Sequence, residues 1–218
     1  MKLYPIMVNM NSKPAVIIGG GEVAARKVSD LLEAGAMLKV ISPEFNDEII
    51  KAAGLYSDKV VLLKRKYEKN DLNGAFLVFS ATNDSAVNAD VFREAEDLGI
   101  LINAVDDPPN CSFYVPSFVR KGDFLFALST GGASPAMAAR LRREIEKHIP
   151  EDIDLVLEKL KKARALLKEE ECFSCMESSD RGKILKKIVS DDKLLESINS
   201  CSDDDMIDFL FDVKDSCD

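Results

Sequence analysis

A chain of 218 residues with 46% hydrophobic composition can bury one full-sized core and a smaller second one. No run approaches the roughly 20 apolar residues of a membrane span, and the N-terminus lacks the basic-then-apolar pattern of a leader, so a soluble cytoplasmic protein is expected. Net charge is −9, concentrated at the end of the chain: residues 1–149 carry 18 basic and 19 acidic side chains, the remainder 11 and 19. Such an acidic tail argues against nucleic acid as a partner.

The first 105 residues alternate short β-branched apolar runs with helical patterns. Strands are expected at 15–18, 38–41, 60–63, 76–80 and 100–105, with amphipathic helices such as 23–34 and 87–98 between them. That rhythm predicts an α/β fold, a Rossmann-like parallel sheet with helices on both faces. After Pro109 the pattern changes to a β-hairpin, with apolar runs at 117–119 and 124–129 flanking Arg120-Lys121-Gly122-Asp123. A helix over 135–149 follows, with Ser134 as its N-cap and Pro135 in its first turn. From Glu151 onward apolar residues recur at helical spacing only, which predicts a small C-terminal helical domain. Three segments result: 1–112, 113–150 and 151–218.

The first strand runs directly into Gly19-Gly20-Gly21-Glu22-Val23-Ala24, a G-x-G-x-x-A pattern that also opens the first helix. In that context it is a dinucleotide fingerprint. Gly19 permits the tight turn, Gly21 lets backbone approach the pyrophosphate, and Ala24 allows close packing of helix on strand. The acidic residue that usually binds the adenosine ribose is not at the immediate end of the second strand, which reads Ser42-Pro43-Glu44. Glu44 can serve the ribose and favour NAD, or be a first-turn acid of the next helix. Ser42 would not repel a 2′-phosphate.

Ligands of open α/β sheets bind beyond the carboxyl ends of the strands, and Asp106 falls at such an end in "INAVDDPPNCSF". There it can accept a proton from, or orient, a substrate that loses hydride, or it can simply form the turn with Asp107 and the two prolines. A second Gly-rich loop, Ser129-Thr130-Gly131-Gly132-Ala133-Ser134, leads into the helix bearing Arg140, Arg142 and Arg143. Its backbone N–H groups and dipole suit an anionic substrate held by Gly131, Gly132, Ser134 and Arg140; the alternative is a capped helix with a solvated basic face.

Other chemistries lack their residues. None of Tyr4, Tyr56, Tyr67 or Tyr114 has lysine four positions later, and the single histidine, His148, lies near a helix end. The five cysteines, Cys111, Cys172, Cys175, Cys201 and Cys217, are odd in number and scattered, which fits reduced thiols rather than a disulfide framework. Cys172-x-x-Cys175 has no second close pair to complete a metal site, so no metal is expected.

These segments together resemble the stand-alone precorrin-2 dehydrogenase family, which shares its core with the N-terminal part of siroheme synthase. The resemblance rests on Leu3-Tyr4-Pro5-Ile6, "VIIGGGEVAARKVSDLLEAGA", "ATNDSAVN", "INAVDDPPNCSFYVPS" and "STGGASPAMAARLRREIE", and covers residues 1 to about 150; the acidic tail matches in kind and length. It implies NAD-dependent oxidation of precorrin-2 to sirohydrochlorin in siroheme biosynthesis. It also implies Asp106 as the catalytic aspartate and Glu22, Val23, Pro43 and Glu44 at cofactor positions, with Thr82 of "ATNDSAVN" beside them. Thr130 falls in the tetrapyrrole pocket, where relatives often have serine, and residues 113–149 form a homodimer interface. Some relatives also insert iron with the same aspartate. A chelatase with a structural dinucleotide, or a non-enzymatic NAD-sensing module, are the alternatives.

Overall fold

The computed structural model describes residues 3–105 and 107–216. Its first compact unit, Leu3–Val115, is built on five parallel strands: β1 (Pro14–Ile18), β2 (Met37–Ile41), β3 (Val60–Leu63), β4 (Leu77–Ser80) and β5 (Leu101–Ala104). Their spatial order is β3-β2-β1-β4-β5, so the chain walks outward from the centre in one direction and then crosses back to continue in the other. The central β1 explains its own composition. Ala15 to Ile18 are all at most 2% exposed, covered on both faces, and a continuous apolar run is what such a strand requires.

The crossovers are helical. Helix α1 (Glu22–Glu33) buries Ala24, Ala25, Val28 and Leu31, an i, i+1, i+4, i+7 stripe, against the face bearing Ile17, Val40 and Phe79. Helix α2 (Asp47–Leu55) is capped by Asn46, whose side chain accepts from the Glu48 N–H at 2.7 Å. Helix α3 (Ser85–Leu98) starts at the Asp84 cap, stops at left-handed Gly99, and covers the opposite face of the sheet through Val91 and Ala95.

Beyond β5 the chain makes a 3₁₀ turn at Pro108–Asn110 and doubles back beside the strand it has just left. The Ser112 N–H donates to the Ile102 carbonyl (2.8 Å), and Ser112 Oγ accepts from the Ile102 N–H (2.8 Å). The Cys111 thiol accepts from the Ala104 N–H at 3.2 Å, and the Asn103 amide donates to the Phe113 carbonyl at 3.0 Å. Burial pushes the Cys111 thiol above its ordinary pKa.

The second compact unit begins at Pro116. It opens with an antiparallel pair, β6 (Ser117–Lys121) and β7 (Phe124–Leu128), turning at Gly122, whose φ of 53° lies in the left-handed region. Helix α4 (Pro135–Glu146) starts at Ser134, whose hydroxyl accepts from the Met137 N–H. It ends three residues before the expected Ile149, because Pro150 disfavours helical backbone in the residue ahead of it. Four helices follow: α5 (Ile153–Glu169), α6 (Ser178–Ser190), α7 (Asp192–Ser200) and α8 (Met206–Asp215). Their core gathers Leu167, Phe173, Ile184, Ile188, Ile198 and Met206, with Phe173 and Phe211 ring centroids 4.8 Å apart. No helix among the described residues is long and apolar enough to cross a membrane.

Candidate functional site: a dinucleotide cradle

At the carboxyl ends of β1, β2 and β4 lies a cavity of about 490 Å³, within the size range of small-molecule and cofactor sites. Strand order reverses at β1, so the cavity sits at the switch point where open α/β sheets bind ligands. Its floor is the turn from β1 into α1. Gly19 holds a φ of 121°, and a Cβ there would fall 2.2 Å from the Ala81 carbonyl oxygen. Glycine is therefore required twice over, by conformation and by space. A Cβ at Gly21, the N-cap of α1, would meet nothing within 4 Å. Gly21 thus leaves room above the helix N-terminus, and no side chain caps the first-turn N–H groups, which suits a pyrophosphate.

The middle glycine has a reason that the spacing did not reveal. A Cβ on Gly20 would lie 2.0 Å from the Glu44 carbonyl oxygen, and the Gly20 carbonyl accepts from the Asn46 N–H at 2.7 Å. The loops after β1 and β2 thus lock together at this point. Ser42, 8% exposed, and Pro43 line the cavity; Glu44 is exposed, and its backbone rather than its carboxylate touches the glycine loop.

The third wall is the loop after β4. Thr82 lines the cavity, but its hydroxyl donates to Asn88 Oδ1 at 2.7 Å, the same oxygen that accepts from Ser80 Oγ at 2.7 Å. The Asn88 amide in turn donates to the Thr82 carbonyl at 3.1 Å. Asn88 therefore ties the end of β4 to the loop that faces the ligand. Of the other expected cofactor residues, Gly19, Gly21, Glu22 and Val23 line the same cavity.

Sequence reasoning missed Lys66, Tyr67, Asn83, Asp84 and Val87, which also line it. The signal for Lys66 and Tyr67 was present only indirectly. They follow β3, and β3 reaches this rim because it neighbours β2, a pairing that local pattern does not encode.

Asp106 lies outside the described residues. Thr130, Gly131, Gly132, Ser134 and Arg140 belong to the second unit. There Thr130 Oγ1 accepts from the Ser134 N–H at 3.2 Å, Gly131 and Gly132 take left-handed φ values of 62° and 84°, and Arg140 is exposed one turn into α4. His148, also exposed, follows the end of α4. No group of three or more metal-ligating side chains is assembled among the described residues.

A parallel sheet ordered in this way, with a glycine cradle at its switch point, defines a dinucleotide-binding protein of Rossmann type. The family model described as "Putative NAD(P)-binding" matches residues 6–117, just over half of the chain, and that described as "Sirohaem biosynthesis protein central" matches residues 127–148. The chain belongs to the NAD(P)-binding family that the first of these models describes. It is 42% identical over 150 residues to a siroheme synthase of Methylobacillus flagellatus, an alignment covering 69% of this chain and 32% of the relative. It is 35% identical over 214 residues to siroheme synthase 1 of Aeromonas salmonicida, covering 97% and 44% respectively. The chain therefore spans less than half the length of these relatives. Among solved structures, SirC, a precorrin-2 dehydrogenase, shares the fold with a TM-score of 0.74 at 23% identity, covering 98% of this chain and 100% of that one.

Proposed function

We propose that this chain is an NAD-dependent dehydrogenase that oxidises precorrin-2 to sirohydrochlorin in siroheme biosynthesis. The observation that carries the reading is the cradle itself: Gly19 and Gly21 open a helix N-terminus at the switch point, beneath a cavity of cofactor size. When bound, NAD accepts a hydride, and one proton leaves with it. The chain's own part is to hold the pyrophosphate on the first turn of α1 and to direct the nicotinamide half toward the strands beyond the crossover. Asp106, following β5, is assigned to accept the departing proton or to orient the substrate. NAD rather than NADP is assigned on Glu44, which follows β2 next to the cavity-lining Ser42 and Pro43 and stands exposed, where its carboxylate can take the ribose hydroxyls.

The Thr130–Ser134 loop and Arg140 are assigned to the carboxylates of the tetrapyrrole, and residues 113–149 to a homodimer interface. In support of the latter, β7 reads Phe124-Leu125-Phe126-Ala127-Leu128, yet all five of these apolar residues remain only half-buried. The functional test supplies NAD and freshly generated precorrin-2 and follows NADH and tetrapyrrole absorbance together. Both signals should rise to the sirohydrochlorin endpoint, and Asp106→Ala should lose about 100-fold or more in turnover while still binding NAD. Dinucleotide binding with flat signals would favour the sensing module, and iron insertion into sirohydrochlorin without NADH formation would favour the chelatase.

A further inference from the structure

The loop after β3 enters the cavity under the control of two carboxylates that never touch the ligand space. Asp71, 8% exposed, accepts from both terminal nitrogens of Arg65 (2.7 and 2.6 Å) and from the Glu68 N–H (2.8 Å). Lys39 donates to its carbonyl at 2.9 Å. Arg65 is thereby turned away from the rim. Glu94, on α3 and also 8% exposed, accepts from the Tyr67 hydroxyl (2.5 Å) and from the backbone N–H groups of Asn70 and Leu72 (each 3.1 Å to Oε1). Burial, and then the Glu94 carboxylate, raise the Tyr67 phenol above its ordinary pKa, so it stays a donor.

The consequence is a fixed aromatic ring on one wall. Ile18, Ala81 and Val87 complete the apolar lining at β1, β4 and α3, and Tyr67 itself lies with Ile41 and Pro43 on the β2–β3 side of the glycine turn. In this topology that side belongs to the adenosine half of a dinucleotide. We propose that Tyr67 is the binding residue for the adenine ring and that Glu94 is a positioning residue that holds it there. The proposal rests on the dinucleotide reading of the cavity, and it divides the affinity for NAD unequally between its two halves.

The test titrates the full chain by calorimetry with NAD, AMP and nicotinamide mononucleotide, with thermal melts of each variant. Tyr67→Ala is expected to weaken NAD and AMP about tenfold or more, the size of a lost base–aromatic stack, and to leave nicotinamide mononucleotide unchanged. Tyr67→Phe keeps the ring and should recover most of the AMP affinity, while Glu94→Gln should weaken AMP by about threefold to tenfold. In turnover assays the KM for NAD should rise in Glu94→Gln with kcat unchanged. AMP affinity unaltered in a folded Tyr67→Ala protein, or equal losses of AMP and mononucleotide, would overturn the proposal. Should Tyr67→Ala not fold, Tyr67→Leu, which keeps apolar volume without a π-face, decides by the same two readouts. Failure of the unmodified chain to bind NAD at all would instead remove the dinucleotide reading itself.

Discussion

The two compact units hold their polar loops in different ways. In Leu3–Val115, loops at the strand ends are held by residues of the helices around them: the Gly20 carbonyl by the N–H of Asn46 at the start of α2, Thr82 by Asn88 of α3, and Tyr67 by Glu94 of α3. In the second unit, the Thr130–Ser134 loop is fixed by its own members, through the paired Thr130 and Ser134 bonds and the Ser129 hydroxyl that accepts from the Gly131 N–H. A cavity formed by four loops needs fixation from outside each loop, because no one loop determines its shape. A helix cap needs only its neighbours.

The largest way to break this contrast is to damage one core and watch the other unit. Phe173, 0% exposed, anchors the helical core, so Phe173→Ala should cost about 3–5 kcal/mol in that unit while NAD affinity stays unchanged, as read by chemical unfolding and dinucleotide titration. Loss of both together would mean that the units fold as one. Next in size, Gly20→Ala forces the β1 and β2 loops apart; it should cost about 1–3 kcal/mol and abolish measurable dinucleotide binding, with the helical unit intact.

Acid offers a graded version of the same comparison. The Arg65 guanidinium beside Asp71 holds its carboxyl below the usual range, so Asp71 stays ionised in the folded chain at a pH where the unfolded chain already takes up the proton. Its contribution is complete above about pH 4, the ordinary value, and disappears as pH falls through the lowered one. Asp71→Asn should therefore cost about 1–3 kcal/mol near neutral pH, and the gap in urea midpoint should close in acid; a gap of constant size would refute the linkage. Smallest of all, Cys172→Ser and Cys175→Ser, both at exposed thiols, should shift stability by less than about 0.5 kcal/mol, as differential scanning would record.

What the sequence made legible follows the same division between local and distant causes. The five strands were readable because each holds a short apolar run, covered on both faces in the central Val16-Ile17-Ile18, and the Ser134 cap was readable because capping involves residues only three apart. Helix α2 was expected after Glu44 but without bounds, because it presents a single fully buried residue, Ile49, and hence almost no stripe; it starts at Asp47, so Glu44 is not an acid of its first turn. Tyr67 and the need for glycine at position 20 escaped because each depends on a partner brought near by strand order, and Asn88 because its bonds to Ser80 and Thr82 cross the turn from β4 into α3. The pattern of residues along the chain marks where strands lie, and a two-residue periodicity carries no record of which strands become neighbours.

The segment returning beside β5 has a consequence for behaviour at high concentration. A sheet ending in bare N–H and C=O groups is a template on which another chain can add a strand and start a fibre. Here a hydroxyl, a thiol and an amide from residues 103–112 occupy backbone groups of β5 or bind the returning strand, and the two prolines next in line cannot extend a ladder. Growth by strand addition is therefore blocked at that border of the molecule, and replacing Cys111 and Ser112 with alanine would turn a closed border into an adhesive one.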